Sequence, residues 1–469
     1  MPTDTANGDS RLSRWLRVRA YAVPPSMIET ATARRRTGDW AGACAAANTD
    51  VDAGVRPRAV ARVHGAELAA RLRADLRHLA PDLLRWHLPR VAPDGLLRPG
   101  LTVTLARYEA TARDGPYPVH LVARTAPAWA DGGQRISLAL WDGSRSRAAG
   151  TPPHPHPRPH PRFRLDLHRH LWDARRTEEF RIRSGAGLLS ADGPPAEPDP
   201  ELLGSLPPGK PWAAHRWAAE AAILLRAEGR ASGPVTVRLG SRDRLDLYPG
   251  DPGRSPYRYR ELAKPGPGGG PAAPVLPDAA TWVPPDLELL RAGLIGADGL
   301  HPLVASALVP GHAPPAAPPD PVAPGAPRLV ECRGSLHRIG LVDGVLAALD
   351  HDPAEIRREE LLVALTGTPL PCLREIDTAH RRPDCLTGVR ERLDHGDTAG
   401  ALGVVEGLLG PGAQLLDGPL RDALEAAVDR RITYGLFTAG LLGPGPGRIR
   451  PGDRRPRDAR TRPRHATTR

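Results

Sequence analysis

Residues 24–48 read PPSMIETATARRRTGDWAGACAAAN and carry the clearest helix signals in the chain. Ser26 is followed three residues later by Glu29, which is the spacing of a capping box at a helix start. Gly38 is expected to end that helix, because glycine readily adopts the left-handed conformation found at many helix ends. Asp39 then stands where a second helix needs its cap. The stretch therefore predicts a helical hairpin.

The helical pattern extends from this hairpin to Pro89. Apolar residues at helical spacing predict a third helix over residues 59–79. Pro81 ends it, because proline lacks the amide hydrogen that a helix interior requires. A short fourth helix is expected over residues 82–88, so the whole block is predicted as packed helices.

The hairpin turn is echoed near the C-terminus, where GDWAGA at 38–43 returns as GDTAGA at 396–401. This helix–Gly-Asp–helix turn resembles the turn and second-helix start of tetratricopeptide hairpins, with Trp40 where such repeats commonly carry an aromatic residue. The first-helix pattern of that family is missing, and no tandem period of ~34 residues is present. The resemblance implies grooves that bind a protein partner. A Gly-Asp pair is also an ordinary connector between helices, so both interpretations stay open.

After the helical block the pattern changes to a period of two over residues 101–105, 119–124 and 136–141. Such alternation is typical of half-buried strands and predicts an antiparallel meander packed on the helices. Further on, Asp343-Gly344 between apolar runs predicts a β-hairpin. The chain is predicted as helices from there to Phe437, and the last helix carries a stripe that is expected to be buried. That stripe consists of Leu420, Leu424, Val428, Ile432 and Leu436.

The predicted fold class is α+β, with helical hairpins packed against small antiparallel meanders, a helical C-terminal part and linkers rich in proline and glycine. The predicted organisation is an α+β domain over 11–147, a Pro/His linker over 148–161, a small α+β segment over 162–262, a linker over 263–281, a mainly helical domain over 282–443 with a β-hairpin at 329–349, and a disordered arginine-rich tail over 444–469.

The net charge of +11 lies mainly in the tail, since residues 447–469 hold nine arginines and two aspartates. Lysine occurs only twice, and the abundance of arginine, alanine, glycine and proline indicates the coding bias of a high-G+C bacterium. The candidate nucleic-acid contacts are Arg448, Arg450, Arg454, Arg455, Arg457, Arg460, Arg462 and Arg464. They would bind phosphates without sequence preference. A solubilising tail shaped by codon bias is the alternative, because no aromatic residues are interleaved for base stacking.

The four cysteines at 44, 332, 372 and 385 are too few and too scattered for a disulfide framework. Reduced thiols in a cytoplasmic protein are the simpler interpretation. No basic start followed by an apolar run is visible near Met1, and no apolar run approaches the ~20 residues of a membrane span. The sequence therefore predicts no membrane association.

Two groups of residues have side chains of the types that ligate metal ions. His154, His156 and His160 alternate with prolines, and His168 and His170 follow. Prolines spread the imidazoles apart, so an exposed linker is the expected state rather than a metal site. The second set comprises Cys372, His380 and Cys385. It lacks the close ligand pair of zinc motifs, so these cysteines are expected to pack as small apolar residues.

No catalytic, nucleotide-binding, cofactor-binding or metal-binding motif is predicted. The leading hypothesis is a non-enzymatic cytoplasmic protein-interaction module that uses its helical hairpins to bind a protein partner. The second is association with nucleic acid through the tail. The third is an enzyme of unrecognised type, with its site in a cleft between the 11–147 and 162–262 segments.

Overall fold

The computed structural model describes residues 4–112, 115–130, 132–143, 154–186, 200–240, 243–249, 257–262, 273–312, 328–332, 334–343, 345–366, 370–381, 385–410 and 412–441. It is 50% helical and 18% strand, which confirms the predicted α+β class. Within the described ranges, no helix is both long enough and apolar enough to cross a bilayer. The predicted arginine-rich tail lies outside the described residues.

The helices are α1 (Asp4–Tyr21), α2 (Pro25–Arg36), α3 (Trp40–Ala46), α4 (Pro57–His64), α5 (Ala66–His78), α6 (Pro81–His87), α7 (Glu179–Ser184), α8 (Pro200–Ser205), α9 (Ala214–Ala227), α10 (Asp278–Thr281), α11 (Pro285–Arg291), α12 (Pro302–Leu308), α13 (Pro353–Thr366), α14 (Pro371–Arg381), α15 (Leu386–Asp394), α16 (Thr398–Leu409) and α17 (Pro419–Thr438). The strands are β1 (Thr49–Val51), β2 (Thr102–Ala112), β3 (Gly115–Thr125), β4 (Ile136–Trp141), β5 (Val235–Arg238), β6 (Arg244–Pro249), β7 (Tyr257–Leu262), β8 (Arg328–Cys332), β9 (Ser335–Val342) and β10 (Val345–Ala348).

The described residues divide into two compact units. The first unit takes in the described residues from 4 to 312, apart from 132 and 133, together with 437–441. The second takes in 132, 133 and the described residues from 328 to 436. Two apolar cores lie in the first unit and one lies in the second.

The first sheet has the strand order β1-β4-β3-β2. Strands β2, β3 and β4 pair antiparallel in sequence order, which confirms the predicted meander. Strand β1 adds a parallel edge beside β4, with Thr49 opposite Ile136. That strand was not predicted, because three residues are too few to show the alternation of apolar and polar side chains that indicates a strand.

The helical block differs from prediction at two points. No side chain caps α2; Pro24 precedes it and Pro25 is its first residue, so the capping box predicted at Ser26 is wrong. Proline suits a first helical position because its fixed φ is already helical. The single helix predicted over residues 59–79 is two helices, separated at Gly65 by a φ of 91°.

The two echoed turns have the same geometry, one in each unit. Oδ1 of Asp39 accepts from the amide of Gly42 at 2.8 Å, and Oδ1 of Asp397 accepts from the amide of Gly400 at 2.9 Å. An arginine five residues earlier pairs with each aspartate, at 3.2 Å in the first unit and 2.8 Å in the second. The predicted helix–Gly-Asp–helix turn is confirmed at both places, including the cap by Asp39.

Helices α11 and α12 pack into the same core as the N-terminal helices. Nε and a terminal nitrogen of Arg19 donate to Asp286 at 2.7 and 2.9 Å, and both side chains are buried. Nε2 of His301 lies 3.0 Å from Oδ2 of Asp82, also buried. These pairs join parts of the first unit over sequence separations of 267 and 219 residues.

The second unit contains the sheet β10-β9-β8, helices α13–α16 and α17 as far as Leu436, in the region where the sequence predicts a β-hairpin followed by helices. The buried stripe predicted on α17 is wrong beyond its start. Leu420 is fully buried, whereas Val428 and Ile432 are 56% and 55% exposed. A helix has about 3.6 residues per turn, so a strict four-residue repeat drifts by about 40° per step. Leu420 and Leu436, which are four such steps apart, therefore lie on nearly opposite faces of α17.

Candidate functional site

A cleft in the first unit is built on the outer face of the meander. Three side chains form a row across its strands, because Arg107 of β2 lies opposite His120 of β3, which in turn lies opposite Trp141 of β4. The rings of His120 and Trp141 meet edge to face with centroids 5.2 Å apart. This row lies on the floor of the cleft.

A β-bulge determines which β2 residues line the cleft. The pairing register shifts between Thr104 and Ala106, so one extra residue enters β2. Thr102 and Thr104 line the cleft before the bulge, and Arg107 lines it afterwards. Without the extra residue, strict alternation would place Arg107 on the opposite, core-facing side of the sheet.

The Pro-His tract forms the wall of the cleft by running along the free edge of β2. The amide of His160 donates to the carbonyl of Thr102 at 3.0 Å, and Oγ1 of Thr102 donates to the carbonyl of His156 at 2.6 Å. The amide of Thr104 donates to the carbonyl of Phe163 at 3.1 Å. Prolines between these residues lack donors, which an edge position tolerates. Residues 154–161 thus cover an edge strand.

The cleft has a volume of about 980 Å³. Ligand-binding clefts commonly enclose about 300–1,000 Å³. Its lining combines charged side chains with Trp141, Phe163 and the prolines of the tract. It lies between the 11–147 and 162–262 segments, where the enzyme hypothesis places a cleft.

Positive charge dominates the lining. The charged residues are Arg98, Arg107, Arg158, Arg164 and Glu228. Oε1 of Glu228 accepts from Arg107 at 3.2 Å and from Arg164 at 2.7 Å, so these three charges are mutually paired. Burial raises the pKa of the Glu228 carboxyl, but the hydrogen bond from Arg164 and its charge outweigh burial and lower it. Glu228 is therefore ionised.

Arg98 differs from the paired arginines. Its guanidinium lies 5.9 Å from the ring centroid of Phe163 and makes no ion pair with any described residue. Burial, with repulsion from Arg162, lowers the pKa of Arg98 despite the attraction of the more distant Asp278, which marks a partly desolvated cation. A guanidinium held this way is a strong site for a carboxylate or phosphate, since both match its planar donors.

Two buried polar atoms of the lining have no hydrogen-bond partner in the described part of the chain: Oγ1 of Thr104 and Nδ1 of His120. Burial, reinforced by Arg107, lowers the pKa of His120 to about 4, so its ring is neutral near pH 7. A buried polar atom without a partner is unfavourable. Both atoms are shielded from solvent, so a bound molecule would reach them only after the side chains turn toward the cleft.

The five histidines noted in the sequence are dispersed. His156 and His160 line the cleft, whereas His154 is buried with Nε2 3.0 Å from the carbonyl of Thr125, so this part of the tract is not exposed as expected. His168 and His170 are buried elsewhere in the first unit. No three of the five come close enough to share a metal ion in the described structure.

Other sequence candidates lie elsewhere or outside the structure. The arginines of the tail, 448–464, fall outside the described residues. Trp86 and Trp217 are buried in the cores. The cleft residues Arg98, His120 and Glu228 were not predicted, because they are 22 and 108 residues apart in sequence. Only the alternation of the meander could have indicated a shared face for His120 and its strand neighbours.

Comparison of the chain with protein-family models, with curated proteins and with solved structures found no significant match. The chemistry of the cleft must therefore indicate the ligand class. It offers a guanidinium without an ion-pair partner among the described residues, beside flat apolar surfaces. Such a set suits a small molecule that carries an oxyanion beside an apolar or ring portion.

Proposed function

We propose that the protein binds a small oxyanion-bearing molecule in the cleft beside the meander. The observation that carries the proposal is Arg98, a partly desolvated guanidinium without an ion-pair partner among the described residues. Arg158 adds a second positive charge on the wall. A phosphate or carboxylate here would form charge-assisted hydrogen bonds, which are stronger than neutral ones.

The remaining lining orients the rest of the ligand. The rings of Trp141 and Phe163 supply apolar contact, and Thr104 and His120 add hydrogen bonds if their side chains turn toward the cleft. With its pKa lowered to about 4, His120 is a weak base near pH 7, so no general base is assigned to the cleft. The enzyme hypothesis thus remains a proposal that depends on binding.

The test is a titration of the full chain with inorganic phosphate, a nucleoside monophosphate and citrate, followed by calorimetry and tryptophan fluorescence. Trp141 lines the cleft, so occupancy should change its emission. Replacing Arg98 with alanine should weaken binding roughly tenfold to a hundredfold, since a hydrogen bond to a charged group contributes about 1.5–3 kcal/mol. Raised salt should weaken binding as well.

Arg62→Ala is the matched control, because Arg62 is exposed on α4, outside the cleft lining, and its loss changes the net charge equally. Equal weakening in both variants would indicate general charge attraction and refute a site at Arg98. Absence of binding to all three probes at millimolar concentration would refute the oxyanion class.

We propose a second function, binding of a protein partner, because α17 carries an exposed apolar face. Val428, Ile432 and Leu436 stand on adjacent positions of that face, each more than a third exposed. The partner we infer presents the apolar face of an amphipathic helix, which packs onto such ridges. Charging the face with Ile432→Asp should abolish capture and cross-linking of that helix. Unchanged cross-linking would refute the docking face. If the wild-type chain self-associates and the variant does not, the partner is a second copy of this chain.

A further inference from the structure

Three metal-ligating side chains meet inside the second unit. They are Cys332 at the end of β8, His351 just after β10, and Cys372 in the first turn of α14. One ligand atom from each lies within 4.8 Å of the other two. Both cysteines are fully buried, and the His351 side chain is 4% exposed.

The fold of the second unit assembles this cluster from distant parts of the sequence. Strand β9 lies between β8 and β10, and α14 packs against all three strands. The carboxyl ends of the two outer strands and the start of a helix therefore meet at the same end of the sheet. The ligand spacings are 19 and 21 positions, which match no zinc motif and explain why sequence patterns do not indicate a site.

The imidazole of His351 is oriented for ligation. Its Nδ1 lies 3.6 Å from Oε2 of Glu355, while Nε2 is buried without a hydrogen-bond partner in the described chain. A carboxylate beside one ring nitrogen is the usual arrangement behind a metal-bound histidine, because it leaves the other nitrogen free to coordinate. At 3.6 Å Glu355 is not hydrogen-bonded to Nδ1, but a small shift would let it accept from Nδ1–H, which favours Nε2 as the ligand atom and Glu355 as a positioning residue.

The two thiols are free and hydrogen-bonded to each other. Burial, with a further contribution from the hydrogen bond to Cys332, raises the pKa of the Cys372 thiol to about 11. A disulfide is the other state such a pair can reach, but it would leave the buried Nε2 of His351 without a partner. A metal ion engages all three groups.

We propose that Cys332, His351 and Cys372 bind a zinc-class divalent cation in the second unit. Two thiolates and an imidazole are the donors that zinc prefers. Binding exchanges two thiol protons for the dication: the S–H bonds break, two sulfur–metal bonds and one nitrogen–metal bond form, and two protons leave to solvent. Three protein ligands leave a fourth coordination position for water or another ligand.

The distances suit this assignment. Metal–ligand bonds of about 2.0–2.3 Å place tetrahedral ligand atoms about 3.5–3.8 Å apart. The cluster atoms are separated by at most 4.8 Å. Closing the site needs shifts of about 1 Å in the ligand atoms.

The test uses the full chain purified in chelator and reductant, then titrated with Co²⁺ as a spectroscopic substitute for Zn²⁺. We expect a thiolate-to-cobalt charge-transfer band that saturates at one equivalent and disappears when Zn²⁺ is added. Cys372→Ala and Cys332→Ala should each abolish the band. Glu355→Gln should keep the band and weaken affinity by about 10–100-fold, the usual effect of losing such a support.

Cys385→Ala is the matched control, because it removes the other cysteine of the second unit and should leave the band intact. Circular dichroism establishes which variants fold. The wild-type spectrum is decisive even if a variant misfolds: no charge-transfer band in the reduced wild-type chain overturns the proposal. A band that survives Cys372→Ala, or one lost in the Cys385→Ala control, would overturn the ligand assignment.

Discussion

The repeated Gly-Asp turn predicts an unusual mutational coupling. A Cβ at Gly400 would lie closer than 3.0 Å to Oδ2 of Asp397, a separation that real Cβ atoms essentially never show. Gly400→Ala should therefore displace the capping carboxylate. The same substitution also gains helix propensity, because glycine is about 1 kcal/mol less favourable than alanine inside a helix.

The magnitudes follow from the burial of the cap. The Asp397 side chain is only 6% exposed and pairs with Arg392, so Asp397→Ala should lower the free energy of unfolding by about 2 kcal/mol, the upper end for an N-cap. Gly400→Ala loses the cap and gains propensity, for a net loss of about 1 kcal/mol. The double variant should also lose about 1 kcal/mol, less than Asp397→Ala alone.

The first unit supplies a comparison at the same motif. The Asp39 side chain is 41% exposed, so water replaces much of its cap and Asp39→Ala should cost about 0.5–1 kcal/mol. All nine tryptophans lie between residues 15 and 282 and report on the first unit, whereas hydrogen exchange of residues 386–409 reports on the second. Additive effects at the Asp397 turn, or stabilisation by Gly400→Ala alone, would refute the steric argument.

Two further predictions concern stability. Burial alone would raise the pKa of Glu220, but hydrogen bonds from its neighbours, first of them His168, lower it to about 2. Because this folded pKa lies below the unfolded value of about 4.3, the stabilisation is complete above about pH 4.5 and is lost as pH falls toward 2, by about 3 kcal/mol in all. Urea titrations at pH 7, 4 and 3 should show this loss of unfolding free energy in the wild-type chain and in the exposed control Glu67→Gln. The loss should be smaller in Glu220→Gln. If Glu220→Gln showed the same pH dependence as the wild type, the role of Glu220 would be contradicted. On α17, Leu420→Ala should cost about 2–5 kcal/mol and Ile432→Ala less than about 0.5 kcal/mol, because only Leu420 is buried. Equal losses of unfolding free energy in the two variants would instead support a stripe that is buried along the whole of α17.

Local signals were enough for most elements of this chain. The meander, the hairpin at 329–349 and the helices from 353 to 438 follow from alternation, turn chemistry and helix caps, each of which acts over a few residues. The cap by Asp39 was predictable for the same reason, since the carboxylate and the amide that it accepts are three residues apart. Where two local signals competed, as at Ser26 and Pro25, the pattern alone named the wrong residue.

The candidate sites depend on contacts that local patterns do not encode. The register between strands places Arg107 beside His120 and Trp141, and one bulge determines the face on which Arg107 lies. The cluster of Cys332, His351 and Cys372 likewise exists only because a helix packs on the sheet.

The amino-acid sequence by itself determined most of the secondary elements, the α+β class and the two matching turns, because these depend on neighbours within one or two helical turns. The tertiary structure decided the burial of α17, the joining of residues 285–308 to the N-terminal core, and the assembly of the cleft and the thiol–imidazole cluster. Those features depend on groups up to 267 residues apart. Their pairing is selected by packing and desolvation across the whole unit, so no short window of sequence contains it.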